Sequence, residues 1–313
     1  MFANVLIIHL PCADVQEENM LSRRLTGNPV FFAILAAALY ALNAPVSKLL
    51  LRNVPPTMMA GFLYLGAGAG MAFMGLIRGR TGHGARELRL TRKDLPYTLG
   101  MVALDIAAPI LLMIGLTRTT AANASLLNNF EIVATSVIAL AIFRERISRR
   151  LWIAIGLITL SSILLSVEDA GSLQFSLGSL FVLAACVCWG LENNCTRCLS
   201  KSDPLEIVVI KGFGSGLGSL VIGWVVGESL PLWGDILKIL LLGFVAYGLS
   251  IYFYVYAQRE LGAAKTSAYY AVAPFIGVLL SLLLFREIPG VLFFIALVIM
   301  ITGTRLVNRD QAD

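Results

Sequence analysis

The sequence predicts an all-α integral membrane protein of ten transmembrane helices, arranged as two inverted five-helix repeats with both termini cytoplasmic. Three observations predict it. Apolar runs of about 20 residues recur along nearly the whole chain, the length a helix needs to cross about 30 Å of hydrocarbon. Basic residues gather in alternate connections. The two halves of the chain also align with each other in long gapless registers. Composition agrees. Of 313 residues, 58% are hydrophobic and 14% charged, with a mean hydropathy of +0.82. A soluble domain carries roughly 25% charged residues. Too little chain lies outside the apolar runs for a soluble catalytic domain.

The runs are 30–51, 55–77, 95–117, 120–143, 149–167, 175–199, 205–227, 234–257, 262–285 and 289–307. Pro55, Pro96, Pro204 and Pro289 stand near run starts, where a missing N–H costs no helical hydrogen bond. Residues 1–27 differ. Met1–Leu10 is apolar but too short to span, and it makes a poor signal peptide. This segment is read as disordered, or as an extension upstream of a start at Met20. The organisation expected is therefore 1–27 as extension, 28–168 and 169–307 as the two repeats, and 308–313 as a tail.

Charge sets the expected orientation. The net charge is +5. With the N-terminus inside, 18 of the 24 Lys and Arg fall on cytoplasmic segments, including Arg23, Arg24, Arg144, Arg146 and the basic loop 78–93. The opposite ends receive Lys48, Arg52, Arg118 and Arg286, while Lys211 and Lys238 lie within runs. The positive-inside rule places both termini in the cytoplasm. The basic balance therefore reports topology, not nucleic-acid binding, although the loop could also meet anionic lipid.

A shift of 142 lays Phe143-Arg144-Glu145 on Phe285-Arg286-Glu287, and Ile153-Ala154 on Ile295-Ala296. A shift of 149 lays Phe32, Ala36, Leu42, Leu50 and Pro55 on Phe181, Ala185, Leu191, Leu199 and Pro204. The seven-residue difference matches the extra length of the basic loop. Five helices per copy is an odd number, so the second copy enters from the opposite side. Inverted repeats place a binding site near the midplane and let one half rock against the other. That arrangement points to a secondary transporter.

The layout resembles the EamA branch of the drug/metabolite transporter superfamily. The resemblance rests on Phe143-Arg144-Glu145, on Ala273-Pro274 and on Phe285-Arg286-Glu287, and covers about residues 30–307. It implies two five-helix repeats, an inner-membrane location and export of a metabolite. The family usually has proline in the middle of the fourth helix. The second half keeps it as Pro274, whereas the first half has Glu131-Ile132, so no hydrophobic-substrate specificity is carried over.

Ionisable side chains at membrane depth are costly and are functional candidates by default. Asp105 and Glu131 lie near the centres of the third and fourth runs. Either could carry a coupling proton or meet a cationic group, or could simply be satisfied by a neighbour. Glu192 and Lys211 reach the same depth towards the cytoplasmic side of an antiparallel hairpin. They are expected to pair, as a fixed tie or as a gate. Asn128 shares a helix face with Glu131, and Asn43 stands at the repeat position of Glu192. Asn129 and Asn193 belong to the same cluster of amides, and Asn123 and Asn194 suit interhelical hydrogen bonding. Tyr247, Tyr254 and Tyr269 are candidate cavity liners, aromatic faces beside carboxylates suiting an organic cation. Glycine clusters at Gly66, Gly68 and Gly70 and at Gly212, Gly214, Gly216 and Gly218 signal close helix packing. Pro45, Pro109 and Pro274 predict kinks.

Neither the Cys195-x-x-Cys198 pair nor His9 and His83 builds a metal site or a catalytic triad. No cofactor, metal or enzymatic activity is expected. The expected function is transport of a small polar metabolite, such as an amino acid or amine-containing compound, by alternating access. The cavity would be lined by helices 1, 3, 4, 6, 7, 8 and 9. The expected partners are the small-molecule substrate, membrane lipid and a coupling proton, in a monomer or homodimer. A membrane-embedded enzyme or lipid-handling protein is the alternative.

Overall fold

The computed structural model describes residues 28–80, 90–143, 148–169, 174–199, 202–261, 266, 269–286 and 289–310. The N-terminal extension 1–27, the basic loop 81–89, Arg144-Glu145 and Glu287 lie outside the described residues.

The described chain is helical except for one short ribbon. The helices are α1 (Pro29–Ala41), α2 (Asn43–Leu50), α3 (Pro56–Arg80), α4 (Leu95–Arg118), α5 (Ala121–Leu127), α6 (Phe130–Phe143), α7 (Arg149–Ser166), α8 (Leu177–Leu199) and α9 (Pro204–Val226). They continue with α10 (Trp233–Gly243), α11 (Ser250–Leu261), α12 (Ala273–Phe285) and α13 (Val291–Asp310). Two strands, β1 (Val167–Asp169) and β2 (Gln174–Phe175), pair antiparallel where the first half ends. Hydropathy alone could not reveal this ribbon, because it is too short to carry an alternating pattern.

Among the described residues, eight helical stretches are long and apolar enough to cross a membrane, from Pro29–Leu50 to Trp233–Tyr254. Ala273–Phe285 and Val291–Val307 are shorter apolar helices at the places of the last two runs. Their outer faces carry exposed Leu, Val, Ile and Phe, as lipid contact requires.

Helix starts follow the sequence. Asn28 Oδ1 accepts from Val30 N at 3.0 Å, Ser148 Oγ from Leu151 N at 3.0 Å and Asp203 Oδ1 from Leu205 N at 3.0 Å. Pro29 and Pro204 occupy the first turns of α1 and α9. Glu228 reaches from the far end of the α9 hairpin to the start of α3, accepting from Thr57 N and Met58 N at 3.2 and 2.9 Å. Lys48 Nζ donates to the Leu116 and Thr119 carbonyls at the end of α4.

Four runs are interrupted, each near mid-run. The first breaks at Leu42, three residues before Pro45. The ninth breaks at Ala271–Val272, just before Pro274. Proline has no N–H and clashes with the carbonyl four residues back, so the preceding turn gives way. The fourth run breaks at Asn128–Asn129 without any proline. There Asn129 Nδ2 donates to the Leu126 carbonyl at 3.2 Å, a side-chain bond that competes with the helical ladder. The eighth run widens into a π-helical turn over Phe244–Leu249. At Pro109 the helix is not interrupted. α4 runs through it as one element, although the Asp105 carbonyl loses its usual donor there.

Packing pairs one half with the other. α3 lies along α9, α4 along α8, α1 along α11, α5 along α12 and α7 along α13. α3 and α9 meet in a close seam. A Cβ at Gly68 would come within 3.0 Å of Gly212 Cα, and one at Gly216 would come 2.8 Å from the Leu65 side chain. At Gly68 backbone meets backbone, so there is no side chain to move aside.

Gly68→Ala is therefore expected to lower stability by about 1–3 kcal/mol, the usual cost of overpacking. Gly156→Ala is the control, because nothing lies within 4 Å of its added carbon. Thermal unfolding in detergent distinguishes them, and equal midpoints would sink the packing account.

Candidate functional site

The polar candidates converge where the two halves cross. Asp105 on α4 is 1% exposed, and Glu192 on α8 is 2% exposed. Lys211 on α9 lies between them, its Nζ 2.8 Å from Glu192 Oε1 and 3.3 Å from Asp105 Oδ2. Glu192 Oε1 also accepts from the Thr196 hydroxyl one turn away. The structure thus joins Glu192 to Lys211, as their common depth predicted, and adds Asp105 to the pair.

Tyr64 on α3 completes this cluster by donating from its hydroxyl to Asp105 Oδ1 at 2.9 Å. The sequence reading passed over Tyr64. A lone tyrosine in an apolar helix resembles an interfacial anchor, and only the α3–α4 contact turns its hydroxyl towards a carboxylate.

Glu131 stands in the first turn of α6, just after the Asn128–Asn129 break. Its Oε1 accepts from Asn193 Nδ2 at 2.7 Å, and the same amide lies 3.2 Å from Thr135 Oγ1. Consecutive residues of α8 therefore reach different neighbours: Glu192 holds α9 and Asn193 holds α6. Their side chains diverge by about 100° around the helix, which permits this. Asn194 serves packing, donating to the Gly190 and Thr135 carbonyls at 2.7 and 3.3 Å. Asn123 does the same at the far end of the helices, tying Thr119, Leu165 and Ser179 together.

Asn43 is 1% exposed and donates from Nδ2 to the Tyr247 hydroxyl at 2.9 Å. Ser47 Oγ donates to Asn43 Oδ1 at 3.1 Å. Tyr247 sits in the π-helical turn, its ring centroid 5.2 Å from that of Tyr64 and 5.9 Å from that of Tyr40. The extra residue in a π-turn rotates the following helix, which a sequence pattern does not announce.

Asn128 lines a small cavity of about 10 Å³, enough for a single water. Tyr40, Asn43, Ser125, Pro274 and Gly277 line it too, so it lies where the interrupted first, fourth and ninth runs meet. The Ser125 hydroxyl is buried there without a hydrogen-bond partner. A second cavity, about 530 Å³, opens beyond the ends of α4 and α7, between Arg118, Asn123, Leu165, Phe285 and Phe293.

Tyr269 is a correction. It is 38% exposed and joins none of these groups. Its neighbour Tyr270 points inward instead, 6.0 Å from the Tyr40 ring, 5.0 Å from the Tyr254 ring and 3.3 Å from Ser250 Oγ. One residue turns the side chain through about 100°. The 142 register contains the clue, for it lays Asn128 on Tyr270 rather than on Tyr269.

If the Glu131–Asn193 bond is the link between α6 and α8, Glu131→Gln and Asn193→Ala are coupled by about 0.5–3 kcal/mol in a double-mutant cycle. Additive thermal-stability changes would remove that link.

Comparison with known proteins follows the same architecture. The model of the EamA-like transporter family matches twice, over residues 28–167 and 176–309. An uncharacterized transporter of Methanothermobacter thermautotrophicus is 27% identical over 302 residues, covering 92% of this chain and 87% of that protein. The uncharacterized transporter YyaM of Bacillus subtilis is 22% identical over 214 residues, covering 63% and 68% of the two chains. One crystal structure shares the fold with a TM-score of 0.63 at 19% identity, over 89% of this chain and 94% of that one. With apolar helices throughout and both halves matched, the chain is a multi-pass membrane protein and belongs to the EamA-like transporter family.

Proposed function

We propose that this transporter moves a small polar, amine-containing metabolite, such as an amino acid or amine, by alternating access in the inner membrane. One observation carries the reading. At the crossing of the halves, two carboxylates, Asp105 and Glu192, share the Lys211 ammonium, and a third, Glu131, is held by the uncharged Asn193 amide. A membrane interior charges heavily for uncompensated negative charge. A cationic cargo or a proton supplies the missing balance. The aromatic faces of Tyr40, Tyr64 and Tyr247 beside the carboxylates suit an ammonium group further.

In this reading the ten runs form two inverted five-helix repeats, with both termini cytoplasmic. The pairing of α4 with α8 and of α1 with α11 supports it, since these two contacts exchange under a two-fold axis. The interrupted helices mark the site, because irregular backbone at depth is tolerated only where it lines a cavity or is covered by protein. Glu131, together with Asp105, is a substrate or proton group. Glu192 and Lys211 close the cytoplasmic side. Export is the direction the family resemblance favours.

The test is flux of amino acids and simple amines in proteoliposomes of defined orientation and pH. Glu131→Gln is expected to lower flux roughly tenfold, equivalent to about 1.4 kcal/mol of lost stabilisation, and to flatten its pH dependence. Wild-type flux with unchanged pH dependence in this variant would overturn the role of Glu131.

A further inference from the structure

The two carboxylates that share Lys211 are not equivalent. Glu192 Oε1 takes the ammonium at 2.8 Å and also accepts from Thr196. Asp105 is engaged on one oxygen only, with Oδ1 accepting from Tyr64 at 2.9 Å. Its Oδ2 is buried without a hydrogen-bond partner, and Lys211 Nζ stands 3.3 Å away without the geometry of a bond. An ammonium has three donors, but its best-oriented contact here is given to Glu192.

Charge counting leads to the same oxygen. One ammonium faces two carboxylates, so one negative charge is left over. Among the described residues, the remaining titratable side chains around Asp105 are the hydroxyls of Tyr64 and Tyr247 and the Cys195 thiol of α8. None of these is a cation. Lys48 also packs against α4, but its ammonium is bound to the Leu116 and Thr119 carbonyls at the other end of that helix.

We propose that Asp105 Oδ2 is an exchange position for one positive charge: a proton or the ammonium group of a bound molecule occupies it, and Lys211, anchored on Glu192, is the resident cation that refills it when the visitor leaves. The proposal deepens the transport reading and rests on it for its purpose. Lys211 swings only a short way, because Glu192 and Asp105 both lie within 3.3 Å of its Nζ. An empty carrier therefore keeps its buried charge partly balanced, and cargo and proton compete for one oxygen.

The experiment needs no identified cargo. The purified protein in detergent is titrated with acid while the protonated-carboxyl band is followed by infrared difference spectroscopy. In a second arm, methylammonium chloride is added at constant ionic strength against tetramethylammonium chloride, and the thermal midpoint is read. The wild type is expected to show a carboxyl band that methylammonium suppresses, together with a methylammonium-dependent rise in midpoint. Asp105→Asn is expected to abolish both, Asp105→Glu to retain both, and Lys211→Met to bind methylammonium at least about tenfold more tightly. Glu131→Gln is expected to leave the Asp105 band in place. The inference is overturned if the band and the methylammonium effect survive Asp105→Asn, or if Lys211→Met weakens binding. Loss of flux in Glu131→Gln with no change at Asp105 would leave the exchange position standing, while normal flux with no Asp105-dependent band would remove it and spare the transport reading.

Discussion

The hydrocarbon core contains no water to satisfy a stray donor, acceptor or charge, and the rest of the structure depends on that constraint. It makes helices the only economical way across. It also decides where the chain is allowed to depart from a helix. The interruptions at Leu42, Asn128–Asn129 and Ala271–Val272 meet around one cavity walled by Asn43, Ser125, Asn128 and Pro274.

A second consequence concerns the glycines. Lys211 precedes Gly212, and a Cβ at Gly212 would lie 2.9 Å from the Tyr64 carbonyl. The closest approach of α3 and α9 therefore occurs beside the residues that surround Asp105. Small residues let two backbones touch, and the contact brings Tyr64 and Lys211 to opposite sides of the same carboxylate. Packing and electrostatics are one device here. A bulkier seam would move the hydroxyl and the ammonium apart and leave Asp105 unsupported at depth.

The two halves share a plan but not a chemistry. Each breaks its fourth helix at about the same level, one with Asn128 and Asn129, the other before Pro274. Proline breaks a helix by withholding a donor, whereas asparagine offers an alternative one. The second method leaves polar side chains behind, and Glu131 follows directly after them with Asn193 as its donor. Asp105 has Tyr247 at its repeat position, and the two lie close together through Tyr64. Departures from symmetry thus collect at the crossing, where a cargo of defined charge would be read.

The sequence by itself determined the class, the runs, the repeat registers and the list of buried ionisable residues. These follow from local rules: run length against hydrocarbon thickness, and the cost of any charge at depth. It also determined that Glu192 and Lys211 share a level, since depth is counted along each helix. Rotation about each helix axis was beyond its reach. Local rules therefore do not separate Tyr269 from Tyr270, single out Tyr64 or join Asp105 to Lys211. A few tens of degrees of rotation decide whether a side chain faces lipid or a partner. Contacts between helices distant in sequence set that angle, and the π-helical turn at Tyr247 changes it again. Only the tertiary structure could decide which oxygen of Asp105 was left open.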